Sequence, residues 1–313
     1  MKKKKSHKIF KLAVLIPCHN EAATLGKVIK SFQKAAPDAD IYVCNNNSND
    51  NSEAIAISAN VNVLNELKKG KANAMQCLFR NVDADYYIMV DADLTYEAEV
   101  AMTAFETCWS NNLDMVICVR KSVAGHKTFL PFRGFGNKLF TMALKYIFNS
   151  HITDTLSGYR VLSKRFVKSM PIMSKGFGIE TEMNIHALSL GLPLGELDTK
   201  YFERPSGSFS KLHTIKDGFA ILSTIIRMLF DYKPLLILVS LSCFSSILGI
   251  LLFLPVLADY LNTGLVARLP TAILSLGLII LSVIMFFSGL ILDGTTRQRI
   301  EIKKMMFLQG DKH

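Results

Sequence analysis

The sequence predicts an α/β protein, a parallel β-sheet covered by helices on both faces, followed by a C-terminal hairpin of two membrane-spanning helices. Two observations predict it. Between residues 12 and 118, short apolar runs alternate with amphipathic stretches, the pattern of strand–helix–strand units that pair in parallel. Further on, residues 235–257 and 270–292 form two uncharged stretches of 23 residues each, and a helix needs about 20 apolar residues to cross a bilayer. The mean hydropathy of +0.27 is high for a soluble domain of 313 residues, and these two stretches account for the excess.

The elements follow in order. "LAVLIP" (12–17), "IYVC" (41–44), "VNVL" (61–64), "YYIMV" (86–90) and "DMVICV" (114–119) read as short buried strands. Helical periodicity lies between them near 21–35, 52–59, 70–81 and 97–111. Residues 133–150 and 213–232 read as amphipathic helices; the second leads straight into the first span and is expected to rest in the bilayer interface. Arg227 and Lys233 precede the first span, and Arg297, Arg299, Lys303 and Lys304 follow the second. The connecting loop, "ADYLNTGLVAR", holds only Arg268. The positive-inside rule therefore puts both flanks and the N-terminal domain in the cytoplasm. The expected organisation is a cytoplasmic α/β domain over 1–212, an interfacial helix over 213–234, two spans over 235–292 and a basic cytoplasmic tail over 293–313.

The net charge is +10, yet no stripe of Arg and Lys interleaved with aromatics runs along the chain, so no nucleic-acid partner is expected. An anionic membrane surface accounts for "MKKKKSHK" and the basic flanks of the spans. That N-terminus does not read as a signal peptide: its apolar stretch is short and no small-residue cleavage site follows. The six cysteines include no CxxC pair and no His cluster, which suits reduced thiols and predicts neither zinc nor disulfides.

Ligands of parallel α/β sheets gather at the carboxyl ends of the strands. Polar segments stand at three of those ends: "PCHNEA" (17–22), "NNNSND" (45–50) and "DADLT" (91–95). Asp91 and Asp93 are spaced i and i+2, which puts both carboxylates on one side of an extended backbone. An aspartate pair can simply end a strand in a turn. Three polar segments at one sheet edge favour a divalent metal instead.

The order of these motifs resembles glycosyltransferase family 2, which has the GT-A (Rossmann-like) fold, and within it the transferases acting on polyprenyl phosphates. The resemblance runs from Leu12 into the C-terminal hairpin. "IPCHNEA" resembles an I-P-x-Y-N-E segment, which implies that Pro17, His19 and Glu21 line the base and ribose; His19 stands where Tyr is usual. "CNNNSND" resembles D-D-x-S-x-D, with Asn45 and Asn46 in place of aspartates and Asn46 expected to touch the donor. "GKANAM" (70–75) resembles G-K-G-x-A, implying that Lys71 lies near the donor, unless it is simply an exposed lysine at a helix start. "DADLT" resembles D-A-D-L-Q. It makes Asp93 the principal ligand of Mg²⁺ or Mn²⁺, with Asp91 beside it contacting the nucleotide and Ala92 between them. Thr95, at the glutamine's place, either offers its hydroxyl to the metal or leaves the place to water.

"LPFRGFGNK" and "DTLSGYRVLS" resemble R-x-x-x-[SN] followed by D-x-x-S-G-[FY]-R. The resemblance makes Arg133 and Asn137 ligands of the acceptor's phosphate, with Arg120 nearby, and leaves Arg160 open between loop-ordering and a site role. "FERPSGSFSKL" (202–212) resembles R-x-x-G-x-S-K, so Arg204 and Lys211 would grip the donor diphosphate. Glu180 and Glu182 in "GFGIETEM" stay open between helix capping and a site role. Catalysis would then rest on Asp93, Arg133 and Arg204.

The implied protein is a metal-dependent, inverting glycosyltransferase in a bacterial inner membrane. It would move a sugar from a UDP- or GDP-sugar to a polyprenyl phosphate, with a homo-oligomer left open. Two alternatives stand beside it. One is a transferase acting on a glycan or other hydroxyl acceptor, which needs a base, with Glu182 or Asp154 as candidates; the other is a degenerate nucleotide-sugar-binding scaffold. A processive polysaccharide synthase is disfavoured, since the sole tryptophan, Trp109, lies outside any QxxRW motif.

Overall fold

The computed structural model describes residues 10–122, 131–172, 178–203 and 226–309, with the backbone alone at 122 and 131–138. The chain divides into two compact units, Met1–Ile215 with Lys303–His313, and Lys216–Ile302.

The first unit runs β1 (Leu12–Cys18), α1 (Leu25–Ala35), β2 (Asp40–Asn45), α2 (Ser52–Ser58), β3 (Asn62–Asn65), α3 (Lys71–Asn81) and β4 (Tyr86–Met89). It continues with α4 (Val100–Ser110), β5 (Met115–Ser122), α5 (Pro131–Phe148), β6 (Arg160–Ser163), α6 (Lys164–Ser169), α7 (Ile179–Leu190) and β7 (Leu194–Tyr201). All five expected strands form, as do the four helices expected between them and the helix expected near 133–150. The sheet order is β3-β2-β1-β4-β6-β5-β7.

The sheet is parallel over its first four strands, as expected, and mixed beyond them. β3, β2, β1 and β4 pair in parallel, but β6 runs antiparallel between β4 and β5. β6 has four residues, all buried, too short to show a period. β7 pairs in parallel with β5 at the edge and alternates apolar residues with Glu196, Asp198 and Lys200, so its charges mask it in sequence. Charges on an edge strand also discourage pairing with a second chain.

Alternation along the central strands builds two cores. Val14, Ile16 and Ile88 face α1 and α4, packing on Leu25, Ile29, Phe32 and Ala104. Ala13, Leu15, Tyr87 and Met89 face the other way, onto Met75 and Leu78 of α3, Phe166 of α6 and Met183 of α7. With both faces covered, ligands have access only at the strand ends.

The second unit contains α8 (Pro234–Thr263) and most of α9 (Leu269–Gln309). Both are long and apolar enough to cross a membrane, and only 11% and 17% of their most apolar windows are buried. Core helices of a soluble protein would be mostly buried, so the exposed apolar surface fits a bilayer. Pro234 opens α8 in its first turn, where its missing N–H costs nothing, and Gly264 closes it at φ 70°. The helices meet through small residues. Ser242 Oγ donates to the Ser282 carbonyl at 2.7 Å and Ser245 Oγ to that of Leu278 at 2.8 Å, and a Cβ on Gly249 would lie 3.1 Å from the Ser275 carbonyl. This is the close backbone approach by which helices associate in lipid.

The basic segment beyond Leu292 continues as helix to Gln309. Of the amphipathic helix expected over 213–232, residues 226–232 are helical and 213–225 lie outside the described residues.

Candidate active site

The expected polar segments follow β1, β2 and β4, which are parallel neighbours, so all three stand at one sheet edge. The first two are stitched together. Asn20 N–H donates to Ser48 Oγ at 3.1 Å, Glu21 N–H to Ser52 Oγ at 3.0 Å, and Ala22 N–H to Asp50 Oδ2 at 3.0 Å. Asp50 also accepts from Ser52 N–H and Oγ. Partial burial works against its charge, but these hydrogen bonds outweigh it and hold its carboxyl below the usual range. The first segment is tied to the third by Thr24, whose buried hydroxyl donates to the Ala92 carbonyl at 2.7 Å. Pro17, His19 and Glu21 therefore lie on a loop fixed to both neighbours.

The three asparagines 45–47 act as a row of amide donors. Asn45 Nδ2 donates to Asn65 Oδ1 at 3.0 Å, Asn46 Nδ2 to the carbonyls of Lys68 and Glu66 at 2.7 and 3.2 Å, and Asn47 Nδ2 to that of Leu67 at 3.1 Å. Asn46 Oδ1 accepts from Gly70 N–H at 2.7 Å. The Asn46 side chain is thus turned into the fold, fixing the residues before Lys71. An aspartate could not donate to those carbonyls, which explains the departure from the motif.

Beyond β4, Asp93 is buried and takes its geometry from Thr95. The Thr95 hydroxyl donates to Asp93 Oδ1 at 2.6 Å and its N–H to the same oxygen at 3.3 Å. Leu94, at φ 57°, occupies the left-handed region that branched side chains rarely adopt, and this turn brings Thr95 back onto Asp93. The Thr95 carbonyl accepts from Phe202 N–H at 2.9 Å, joining the segment to the end of β7.

Asp91 is ion-paired with Lys71 Nζ, which lies 2.5 Å from Glu180 Oε1 at the start of α7. Lys71 is largely buried rather than an exposed lysine at a helix start. Burial alone would lower the pKa of this ammonium, but Asp91 and Glu180 raise it above the ordinary lysine value. Gly158 lies against Asp91: a Cβ there would stand 2.2 Å from Asp91 Oδ2. The Gly158 N–H is held by the Tyr96 hydroxyl at 2.9 Å. Burial raises the pKa of that phenol well above its usual value, so it stays a neutral hydroxyl that accepts this N–H.

Arg160 is fully buried. Its guanidinium donates to the carbonyls of Ser157 (2.9 Å) and Thr155 (3.1 Å) and to Asn184 Oδ1 (2.6 Å), joining the 154–159 loop to α7. Of its two open roles, loop-ordering is the one these contacts describe. Arg120 and Asp154 form a two-pronged pair, with Nε to Oδ2 at 2.8 Å and Nη2 to Oδ1 at 2.7 Å. Glu196 in turn holds the loop, accepting from Thr153 N–H at 2.7 Å. Asp154, a candidate base, thus gives both oxygens to Arg120. Glu182 lies partly exposed in the first turn of α7. The side chains of Arg133 and Asn137, and the whole of Arg204 and Lys211, lie outside the described residues.

Sequence reasoning missed Thr24, Gly158 and Tyr96, which set the backbone around Asp91–Asp93, and it left Glu180 open where the structure joins it to Lys71. Among the described residues no three His, Cys, Asp or Glu side chains cluster to hold a metal by themselves. Two hard carboxylates at a strand end nevertheless suit Mg²⁺ or Mn²⁺, which commonly takes one or two carboxylates and completes its shell with water and substrate phosphate.

Residues 13–170 match glycosyl transferase family 2. The chain is 48% identical over 153 residues to an uncharacterised protein of Shigella flexneri, covering 49% of this chain and 94% of that one. It is 28% identical over 283 residues to Glycosyltransferase AglJ of Haloferax volcanii, covering 90% and 92%. It is 24% identical over 213 residues to Undecaprenyl-phosphate mannosyltransferase of Micrococcus luteus, covering 63% and 86%. Glucosyl-3-phosphoglycerate synthase of Mycobacterium tuberculosis, solved with Mn²⁺ and UDP-glucose, superposes with a TM-score of 0.54 at 17% identity over 71% of this chain and 79% of that one, a likeness of fold. A GT-A-like mixed sheet, the polar segments at one edge of it and the family match together place this chain in glycosyl transferase family 2, as a glycosyltransferase.

Proposed function

We propose that this glycosyltransferase moves a sugar, with inversion, from a UDP- or GDP-sugar to a polyprenyl phosphate at the cytoplasmic face of a bacterial inner membrane. The observation that carries this reading is one chain holding both the carboxylate turn at Asp91–Asp93 and two exposed, membrane-length helices. A lipid-linked acceptor is the substrate such an anchor would serve. The names of the Micrococcus luteus relative above and of Dolichyl-phosphate hexose transferase of Haloferax volcanii point the same way.

In this reading Asp93 and Asp91 hold Mg²⁺ or Mn²⁺, which would neutralise the departing diphosphate. Thr95 orients Asp93, and Gly158 leaves room for Asp91. Pro17, His19 and Glu21 receive the nucleoside, and Arg204 and Lys211 bind the diphosphate. Asn46 acts on the donor indirectly, by fixing the segment that presents Lys71. Arg133 and Asn137 hold the acceptor phosphate, and Arg120, clasped by Asp154, shapes that side of the site. An acceptor phosphate oxygen forms the new bond to the anomeric carbon. The bond from that carbon to the diphosphate breaks, and the leaving group takes the electron pair. A phosphate monoester, with a second pKa of about 6, is already ionised at neutral pH, so the site supplies position and charge rather than a base.

A hydroxyl acceptor would need a base, and the commitment of Asp154 to Arg120 leaves Glu182 as the remaining candidate of the two. Membranes containing the protein are given radiolabelled UDP- and GDP-sugars with undecaprenyl phosphate, and label is expected in the lipid fraction. Arg133→Ala should raise the KM for lipid phosphate and lower kcat/KM by about one to two powers of ten, while Glu182→Gln changes it little. The reverse pattern would give the acceptor role to a hydroxyl.

A further inference from the structure

Lys71, Asp91 and Glu180 form a triad of one cation and two carboxylates at the rim where the divalent cation is proposed to bind. Their side chains are only 12, 24 and 7% exposed. The ammonium cannot drift off with its backbone: Lys71 opens α3, and Gly70 N–H before it is fixed by Asn46 Oδ1 at 2.7 Å. Asp91 is confined on the Gly158 side, where its Oδ2 fills the space that a Cβ would occupy. An ammonium therefore already occupies one oxygen of Asp91, and a metal cation on this carboxylate would have to lie close to it. Two cations on one carboxylate repel strongly where water is scarce.

We propose that Lys71 is a competing counter-ion that keeps the Asp91–Asp93 pair from taking up a divalent cation alone, so that cation and nucleoside diphosphate bind as a coupled pair. The proposal rests on the metal reading given above. The diphosphate relieves the conflict by adding negative charge between the two cations and giving the ammonium a further anionic partner. By linkage, the factor by which nucleotide tightens the cation equals the factor by which the cation tightens nucleotide. Lys71 is thus a positioning and coupling residue, and its effect reads out in binding without turnover.

The test is Mn²⁺ binding to the full-length protein in detergent, followed by the paramagnetic resonance signal of free Mn²⁺. UDP and GDP are tried separately, with correction for Mn²⁺ held by free nucleotide. In the wild-type protein one nucleotide should tighten Mn²⁺ by about tenfold or more. Lys71→Met should bind Mn²⁺ alone about tenfold more tightly than wild type, with the nucleotide effect reduced to match. Glu180→Gln keeps the ammonium and leaves Asp91 as its remaining carboxylate partner, so it should bind Mn²⁺ alone no more tightly than wild type. A folded Lys71→Met variant with unchanged or weaker Mn²⁺ binding overturns the proposal, as does tighter binding by Glu180→Gln. If Lys71→Met does not fold, a wild-type protein that binds Mn²⁺ equally well with and without nucleotide overturns it. No Mn²⁺ binding with either nucleotide overturns the metal reading itself, and this inference with it.

Discussion

A single absent methyl group decides where Asp91 sits. With a Cβ only 2.2 Å from Oδ2, Gly158→Ala must displace the carboxylate or the 154–159 loop. Misplacement of about 1 Å at a reacting centre can cost roughly a hundredfold in rate, so kcat/KM should fall on that order while the circular-dichroism spectrum stays that of the wild type. Asp93→Asn should abolish turnover with the fold retained, because it removes the charge of the proposed metal ligand while the amide keeps the size of the buried side chain and an oxygen for Thr95. Unchanged activity in metal-depleted buffer would reject that assignment. At this scale the sequence was legible where chemistry and spacing coincide, as in the aspartate pair. Gly158, Tyr96 and Thr24 were not legible. Their partners lie far along the chain, so no local spacing records that Thr24 holds Ala92 or that Tyr96 holds Gly158.

Among the elements, those with a full period were read correctly: a strand alternating between two cores, such as β1, or a helix with one apolar face, such as α1. β6 and β7 escaped because one is too short to repeat and the other carries its charges at a sheet edge. The α6–α7 pair gives a prediction of its own. His186 on α7 is buried, with Nε2 3.0 Å from Ser169 Oγ of α6. Burial and then Lys303 lower its pKa from 6.5 to about 4. The unfolded chain therefore binds the extra proton between those values, and stability falls as pH drops from about 6.5 toward 4, by up to about 1.4 kcal/mol per unit. Thermal melts across this range should show that slope, and His186→Gln should flatten it.

For the whole molecule, the two long apolar helices were the most legible feature, since their length and lack of charge stand out in the sequence. Their ends were less so: α9 runs through the basic segment to Gln309, because nothing in "DGTTRQRIEIKK" breaks a helix except one glycine. A chain ending at Tyr232 should lose membrane retention after a high-salt wash, which strips electrostatic association and leaves an apolar anchor in place. Sedimentation of the truncated protein with washed membranes would show that the anchor lies elsewhere.

The three asparagines at 45–47 also set a limit on how the protein ages. Each amide donates to the 65–68 segment, two of them to backbone carbonyls. Spontaneous hydrolysis of a side-chain amide turns the donor into an anion facing oxygen, so chemical wear here converts attraction to repulsion instead of merely deleting a bond. Asn46 is shielded by burial, whereas Asn47 is exposed on a left-handed turn. Slow decay of a stored preparation should therefore begin at Asn47, visible as a one-dalton gain in the peptide that contains it, and loosen the approach to Lys71 from the outside inward.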